Sequence, residues 1–190
     1  QTILFLSTSS GPGGAERVIS NLATSLDPAR YRAVLCLFRQ GWIRERSESR
    51  GVRTHIIPTC GMTDWRWALR FRRLLDEEHV DLIHAHEFDA NVQGTFVAAI
   101  SGIPLVATVH GKHYFWEKWR RCLAYRWVSR QATMVAVSED LKQFIVEKVG
   151  ACPERITVLY NGVDVPMPPK QVEVDACRKE LRLPQGDQIV

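Results

Sequence analysis

Short apolar runs of strand character alternate with longer amphipathic runs along almost this whole chain, and that alternation restricts the fold more than any other feature. "TILFL" is followed by "GAERVISNLATSL", in which Ala15, Val18, Ile19, Leu22, Ala23 and Leu26 recur at helical spacing. "RAVLCLF" and "VRTHIIP" read as strands, joined by "GWIRERSESRG" as a short polar connection. "WRWALRFRRLLDEEH" places Trp67, Phe71, Leu74 and Leu75 on one helical face and Arg66, Arg70 and Arg73 on another. The strand "DLIHAH" leads into the helix "ANVQGTFVAAISGIP", which Gly102 and Pro104 stop. "LVATVHG" is a strand and "WEKWRRCLAYRWV" a helix. After the strand "MVAV", Ser138 is placed to cap "EDLKQFIVEKV", with acids in its first turn, Lys148 in its last and Gly150 beyond. "RITVLY" is a final strand ending in the turn "NGVD". Strands separated by helices in this way predict an α/β fold, a Rossmann-like, doubly wound parallel sheet with helices on both faces.

The chain changes character after this alternation. "VPMPPKQ" is proline-rich and reads as a stiff linker. "VDACRKELRL" then reads as one helix and "PQGDQIV" as a turn entering a new strand. The expected division is residues 1–165 as one Rossmann-like domain and 166–190 as linker, helix and the start of a further domain. The chain is therefore read as the first half of a longer protein.

Ligands of open α/β sheets bind beyond the carboxyl ends of the strands. Gly11, Gly13 and Gly14 lie at that edge, before a helix N-terminus whose N–H groups and dipole favour an anion such as phosphate. The spacing matches neither the GxGxxG dinucleotide fingerprint nor the P-loop, and Glu16 competes with a phosphate for the same N–H groups. A tight strand-to-helix turn with no ligand fits the spacing equally well.

"HAHEFD" puts His84 and His86 on the same side of a strand, with Glu87 and Asp89 nearby. The binuclear hydrolase pattern HxHxDH fails, because Phe88 and Asp89 stand where it needs an acid and a histidine. An outward-facing histidine pair without a third spaced ligand is more often structural than metal-binding. His110 ends another strand and precedes Gly111, Lys112 and His113, a setting suited to a polar or anionic substrate. No nucleophile elbow accompanies these histidines.

Five of the six tryptophans fall in "WRWALRFRR" and "HYFWEKWRRCLAYRWVSR", each rich in arginine. Trp116, Trp119, Leu123 and Trp127 form an apolar stripe expected to pack on the sheet. A second reading is a face for an anionic membrane surface, whose headgroup region suits tryptophan and arginine together. No RNA- or DNA-binding motif accompanies the charge, so nucleic acid is not an expected partner. The five scattered cysteines show no CxxC spacing, so neither a zinc ribbon nor a disulfide framework is expected, which fits a reducing cytoplasm.

In order along the chain, "GGAERVISNLA", "DLIHAHEFDAN", "PLVATVHG", "VAVSEDLK" and "ITVLYNGVD" resemble the N-terminal domain of a family 4 retaining glycosyltransferase of the GT-B fold. That resemblance implies two Rossmann-like domains facing each other across a cleft. The N-terminal one binds a glycan or lipid-linked acceptor, and the other holds a nucleotide-sugar donor. It implies that Gly13 and Gly14 approach the donor diphosphate and that His110 lies near the transferred sugar. Glu87, Asp89, Lys112 and His113 become acceptor contacts. The nucleotide-sugar is a substrate; no cofactor and no bound metal are implied. The expected setting is cell-envelope polysaccharide or glycolipid synthesis, in the cytoplasm at the inner face of a membrane. The family's donor motif is absent from these residues, so the 190-residue chain alone is expected to be inactive. Two other readings are a non-catalytic module binding a glycan or lipid headgroup, and a metal-dependent hydrolase using His84, His86 and Asp89.

Overall fold

Apolar runs too short to be helices and rich in β-branched residues become the strands of one parallel sheet. The computed structural model describes residues 1–8, 10–61, 63–112, 119–162 and 167–184. The strands are β1 (Thr2–Ser7), β2 (Arg32–Leu37), β3 (Arg53–Ile56), β4 (Leu82–His86), β5 (Leu105–Val109), β6 (Thr133–Ala136) and β7 (Ile156–Val158). The helices are α1 (Gly14–Ser25), α2 (Trp42–Glu48), α3 (Trp65–Glu77), α4 (Phe88–Ser101), α5 (Trp119–Gln131), α6 (Glu139–Val149) and α7 (Gln171–Glu180). The strand order is β3-β2-β1-β4-β5-β6-β7, and every neighbouring pair is parallel.

Both faces of the central strands are buried. Phe5, Leu35 and Leu37 face α1 and α2, where Ile19, Ala23 and Ile43 complete a cluster. Leu4, Leu6, Val34, Cys36, Ile83, Ala85 and Ala107 face the other way, against Trp67, Phe71, Leu74 and Leu75 of α3, Ala90, Val97 and Ala98 of α4 and Val128 of α5. The same face continues under α6 through Met134, Ala136, Leu141 and Ile145. Glu78, buried at the end of α3, binds Arg32, Arg53 and His55 and ties that helix to β2 and β3. Burial alone would raise its carboxyl pKa, but Arg32, His55 and Arg53 together hold it below the ordinary value.

α4 lies unusually close to the sheet. A Cβ added to Gly94 would stand 2.9 Å from Leu6 Cδ2 and 3.3 Å from Leu105 Cδ1. Glycine in mid-helix costs about 1 kcal/mol in propensity, and here it allows the approach that brings the start of α4 onto the sheet edge.

Caps follow the side chains expected to make them. Ser138 Oγ accepts from the Leu141 N–H, and Gly102 and Gly150 close α4 and α6 in the left-handed conformation. Several expectations need correction. "GWIRERSESRG", expected only as a short polar connection, contains helix α2, whose Ile43 and Ser47 are buried. The apolar stripe expected on α5 packs only in part: Trp127 lies half-buried against the core, while Trp119 and Leu123 do not. Trp119 and Leu123 are 68% and 54% exposed, and Tyr125, Val128 and Ser129 are the residues α5 buries. Trp116 lies outside the described residues. The last helix runs over Gln171–Glu180, a few residues ahead of the expected span, and the expected strand at "PQGDQIV" falls mainly outside the described residues.

Replacing Gly94 with valine forces Leu6 or Leu105 from its rotamer. Gly94→Val is expected to lower the unfolding free energy by about 2 kcal/mol or more. Urea denaturation measures this, and an unchanged midpoint would contradict the close-packing role.

Candidate functional site

The strand order reverses direction between β1 and β4. From β1 the chain moves through α1 to β2 and β3; from β4 it moves through α4 to β5, β6 and β7. The loops leaving β1 and β4 therefore diverge and open a crevice at the carboxyl edge of the sheet. Thr8 Oγ1 donates to Glu87 Oε2 at 2.7 Å and bridges that crevice at its base. Glu87 has φ 70° and ψ 168°, a conformation normally left to glycine, at a cost of about 1–3 kcal/mol. Its backbone is pinned from both sides: its N–H donates to the Thr108 carbonyl and its carbonyl accepts from the Asn91 N–H.

The glycine loop is buttressed by a residue whose role was not legible in the sequence. A Cβ on Gly41 would lie 2.5 Å from the Ser10 carbonyl oxygen. That carbonyl accepts from the Ile43 N–H, and Ser10 Oγ donates to the Gln40 carbonyl. Gly13 caps α1 through its backbone, and a Cβ there would stand 2.3 Å from Glu16 Oε2. The buried Glu16 carboxylate thus lies folded against Gly13, while Gly14 opens onto a neighbouring groove of about 510 Å³. Arg17, Asn21, Trp42, Arg46 and Asn161 line that groove, which makes it cationic and rich in hydrogen-bonding groups.

Parallel register sets His86 of β4 beside Thr108 of β5, so that His84, His86, Thr108 and His110 share one face of the sheet. His84 Nε2 is hydrogen-bonded to Thr108 Oγ1 at 2.8 Å, and His86 Nδ1 to His110 Nε2 at 2.9 Å. The ring centroids of His84 and His86 are 4.1 Å apart, those of His86 and His110 are 5.2 Å apart, and Phe5 packs on the first two. The pair is not outward-facing as a whole, as the sequence suggested: His86 is fully buried beside Phe5, whereas His84 is half-buried. Among the described residues, no group of three or more His, Cys, Asp or Glu side chains is arranged to hold a metal ion.

Asn91, one turn into α4, lies beneath this cluster. Its Nδ2 donates to the Thr108 carbonyl and to the Tyr125 hydroxyl, fastening α4 and α5 to the end of β5. Of the other expected contacts, Asp89 is exposed on the first turn of α4. Lys112 is paired with Asp140 at 2.7 Å and stands over the Phe144 ring. His113 lies outside the described residues. Thr8, Ser10, Gly41, His86 and Asn91 take part in the site's support, and the only hint of this in the sequence was the His-x-His alternation opposite His110.

The family model that matches residues 12–166 is that of Glycosyltransferase Family 4. The chain belongs to that family. Among curated proteins, none matches it significantly. Among solved structures it is similar to Anabaena HepE, crystallised with UDP and glucose, at 25% identity and a TM-score of 0.78 over 94% of this chain and 50% of that one. A glycosyltransferase from Rickettsia africae gives 15% identity and a TM-score of 0.78 over 97% and 50% of the two chains. The lipopolysaccharide outer core galactosyltransferase WaaB, in its apo form, gives 17% identity and 0.66 over 90% and 50%. The latter two likenesses show the fold alone. This family 4 chain spans about half the length of the structures it matches, and its architecture is that of a GT-B N-terminal domain.

Burial pushes the His84 pKa down to about 4, with His110 adding to the effect. Burial also holds His86 well below 6.5, reinforced by His84 and His110. Both rings are therefore neutral in the folded protein at neutral pH, whereas in the unfolded chain they take up protons as pH falls through about 6.5. The stability they contribute is complete above that value and is lost as pH falls toward the folded-state values. Unfolding free energy is expected to drop by at least about 2 kcal/mol between about pH 6.5 and 5, above most carboxylate titration. Urea denaturation at stepped pH measures it, and a flat profile over that interval would show that the cluster is hydrated.

Proposed function

We propose that this chain is the acceptor-binding domain of a glycosyltransferase that moves a sugar from a nucleotide-sugar to a glycan or lipid-linked acceptor, with retention of configuration. The observation that supports this reading is that the Gly13–Gly14 loop, Glu87 and His110 follow the carboxyl ends of β1, β4 and β5, which are neighbours in one parallel sheet of a family 4 chain. On this reading a second domain supplies the other surface that encloses the donor. HepE, which holds UDP and UDP-glucose in its crystal structures, supports a nucleoside-diphosphate sugar as donor.

Glycosyl transfer from such a donor asks for stabilisation of a departing diphosphate and of an oxocarbenium-like centre. On this reading Gly14 and the N-terminus of α1 approach the diphosphate, with Arg17 and Arg46 adjoining. His110 lies against the transferred sugar. Glu87 addresses an acceptor hydroxyl, and Asp89, Lys112 and His113 extend the acceptor surface. Residues 1–165 form this domain, and 166–190 lead to a donor-binding domain that supplies the remaining phosphate contacts.

The exposed faces of α3, α4 and α5 support a lipid-linked acceptor presented at a membrane. Trp65, Leu69, Phe96, Ile100, Trp119 and Leu123 are all more than half exposed. Between the helices runs an apolar groove of about 430 Å³, lined by Trp65, Trp67, Phe96 and Trp127. Arg66, Arg70, Arg73, Arg120 and Arg126 stand on the same helices, with Arg66 over Trp65 and Arg120 over Trp119. No helix among the described residues is long and apolar enough to cross a membrane. A peripheral contact with anionic lipid fits both the aromatic and the basic side chains. The protein would then work in the cytoplasm at the inner membrane face, in cell-envelope polysaccharide or glycolipid synthesis.

Two measurements test this. In a protein joining this chain to its donor domain, His110→Ala is expected to lower kcat by about 100-fold or more, with smaller change in donor KM. The 190-residue chain alone is expected to show no turnover; rapid turnover by the chain alone, or full activity of His110→Ala, would overturn the assignment. For the membrane face, flotation with anionic and neutral vesicles is expected to show anionic preference. Trp65→Ala with Trp119→Ala should weaken binding about tenfold or more. Equal binding to both vesicle types would remove the membrane contact.

A further inference from the structure

The polar atoms that line the groove over α3, α4 and α5 are largely spent on the protein itself. Trp67, Ala68 and Val92 lie in or against the core and form its floor, and Trp65 and Phe96, both more than half exposed, stand at its rim. The Trp67 indole N–H is already given to the Ile57 carbonyl. Both Asp64 carboxylate oxygens are taken, by the N–H groups of Trp67 and Cys60, and Gln93 Oε1 accepts from Thr59 Oγ1. A sugar or nucleotide entering here would give up its hydration for few hydrogen bonds in return, whereas a hydrocarbon chain gains by leaving water. The surroundings carry charge of mainly one sign: α3, α4 and α5 hold eight arginines against three acidic residues. That excess suits an anionic group attached to the chain.

The groove also lies at the end of the helices nearest the crevice. Thr63 and Asp64 immediately precede α3, and Gln93 is six residues beyond Glu87, about 9 Å along the α4 axis. Both helices follow strands of the parallel sheet and start at its carboxyl edge, where Glu87 and Asp89 stand. We infer that this groove seats the first part of the hydrocarbon chain of a lipid-linked acceptor, with its anionic linkage beside the arginines and its sugar directed toward the start of α4. The inference rests on the reading that the acceptor is lipid-linked. On it, the chain is a recognition element as well as an anchor. One helix then serves both ends of the substrate: Val92 and Phe96 meet the chain, and Glu87 and Asp89 address the sugar.

12-Bromododecanoic acid, used below its micelle concentration, tests the site, because bromine quenches a tryptophan it touches and Trp65, Trp67 and Trp127 line the groove. Saturable quenching of the 190-residue chain is expected, with none from 3-bromopropanoic acid at the same concentration. Ala68→Leu fills the groove and is expected to weaken chain binding about tenfold or more. Flotation with anionic vesicles, which depends on the exposed aromatic and basic residues, should fall by less than about twofold in that variant. Phe96→Ser, at a half-exposed position, removes part of the wall and is expected to weaken chain binding likewise if the leucine variant does not fold. In the protein joined to its donor domain, Ala68→Leu is expected to raise KM for a long-chain acceptor about tenfold more than KM for its short-chain analogue. Absent or non-saturable quenching, equal quenching by the short acid, or indifference to both variants would overturn the inference. So would a dimer abolished by Ala68→Leu, which gives the groove to a second copy. Vesicle binding that falls with Ala68→Leu while the long-chain KM holds gives it to a bilayer lipid and overturns it too. Absent quenching with anionic vesicle binding intact refutes the chain site alone, whereas a soluble glycan used as well as the lipid-linked acceptor refutes the reading beneath it.

Discussion

The divergence of the chain at β1 and β4 is the constraint on which the rest of the molecule's chemistry depends. Two parallel neighbours whose following helices leave in opposite directions cannot close over their own carboxyl ends, so a crevice opens there. The hydrogen bond from Thr8 to Glu87 spans it, and Glu87 adopts a backbone conformation that costs free energy in any residue but glycine. The cost is met by the surrounding backbone bonds to Thr108 and Asn91, which hold the carboxylate within reach of Thr8. Gly41 contributes from β2's side, letting the loop before α2 press on Ser10 and steady the glycine loop.

The electrostatics of the two sides of the crevice differ. On the β1 side, a carboxylate already lies against the N-terminal cap of α1, because Glu16 folds back over Gly13. An anionic group approaching there meets Glu16 first, and the favourable ground shifts toward Gly14 and the groove carrying Arg17 and Arg46. On the β4–β5 side, burial keeps His84 and His86 neutral. That side therefore supplies directed hydrogen bonds rather than positive charge.

The helices on the outer face show how sheet burial and surface chemistry compete for the same side chains. α3 spends its apolar stripe on the core as its periodicity demands. α5 divides its apolar side chains: Tyr125 is buried and bonded to Asn91, Trp127 packs partly against the core, and Trp119 and Leu123 are exposed beside arginines. An exposed aromatic and basic surface of this kind is unusual for a face that meets only water.

Much of the fold was legible in the order of residues. The helical periodicity of residues 65–77, the Ser138 cap and the strand runs each depend on local steric and hydrogen-bonding preferences, which act over a few residues and leave a readable pattern. The Gly13–Gly14 turn and the histidine at the end of β5 were visible for the same reason. α2 was missed because it is short and its two inward residues, Ile43 and Ser47, make no periodic signal of their own. What the sequence determined was the kind of element at each point and the chemical groups at each strand end. What only the tertiary structure decided was which of those groups meet. The register of β4 on β5 joined His86 to His110, the reversal of strand order brought Thr8 to Glu87, and the packing of α4 and α5 chose which tryptophans faced water, because contacts between distant segments are set by how sheets pair and cores fill, which local pattern does not encode.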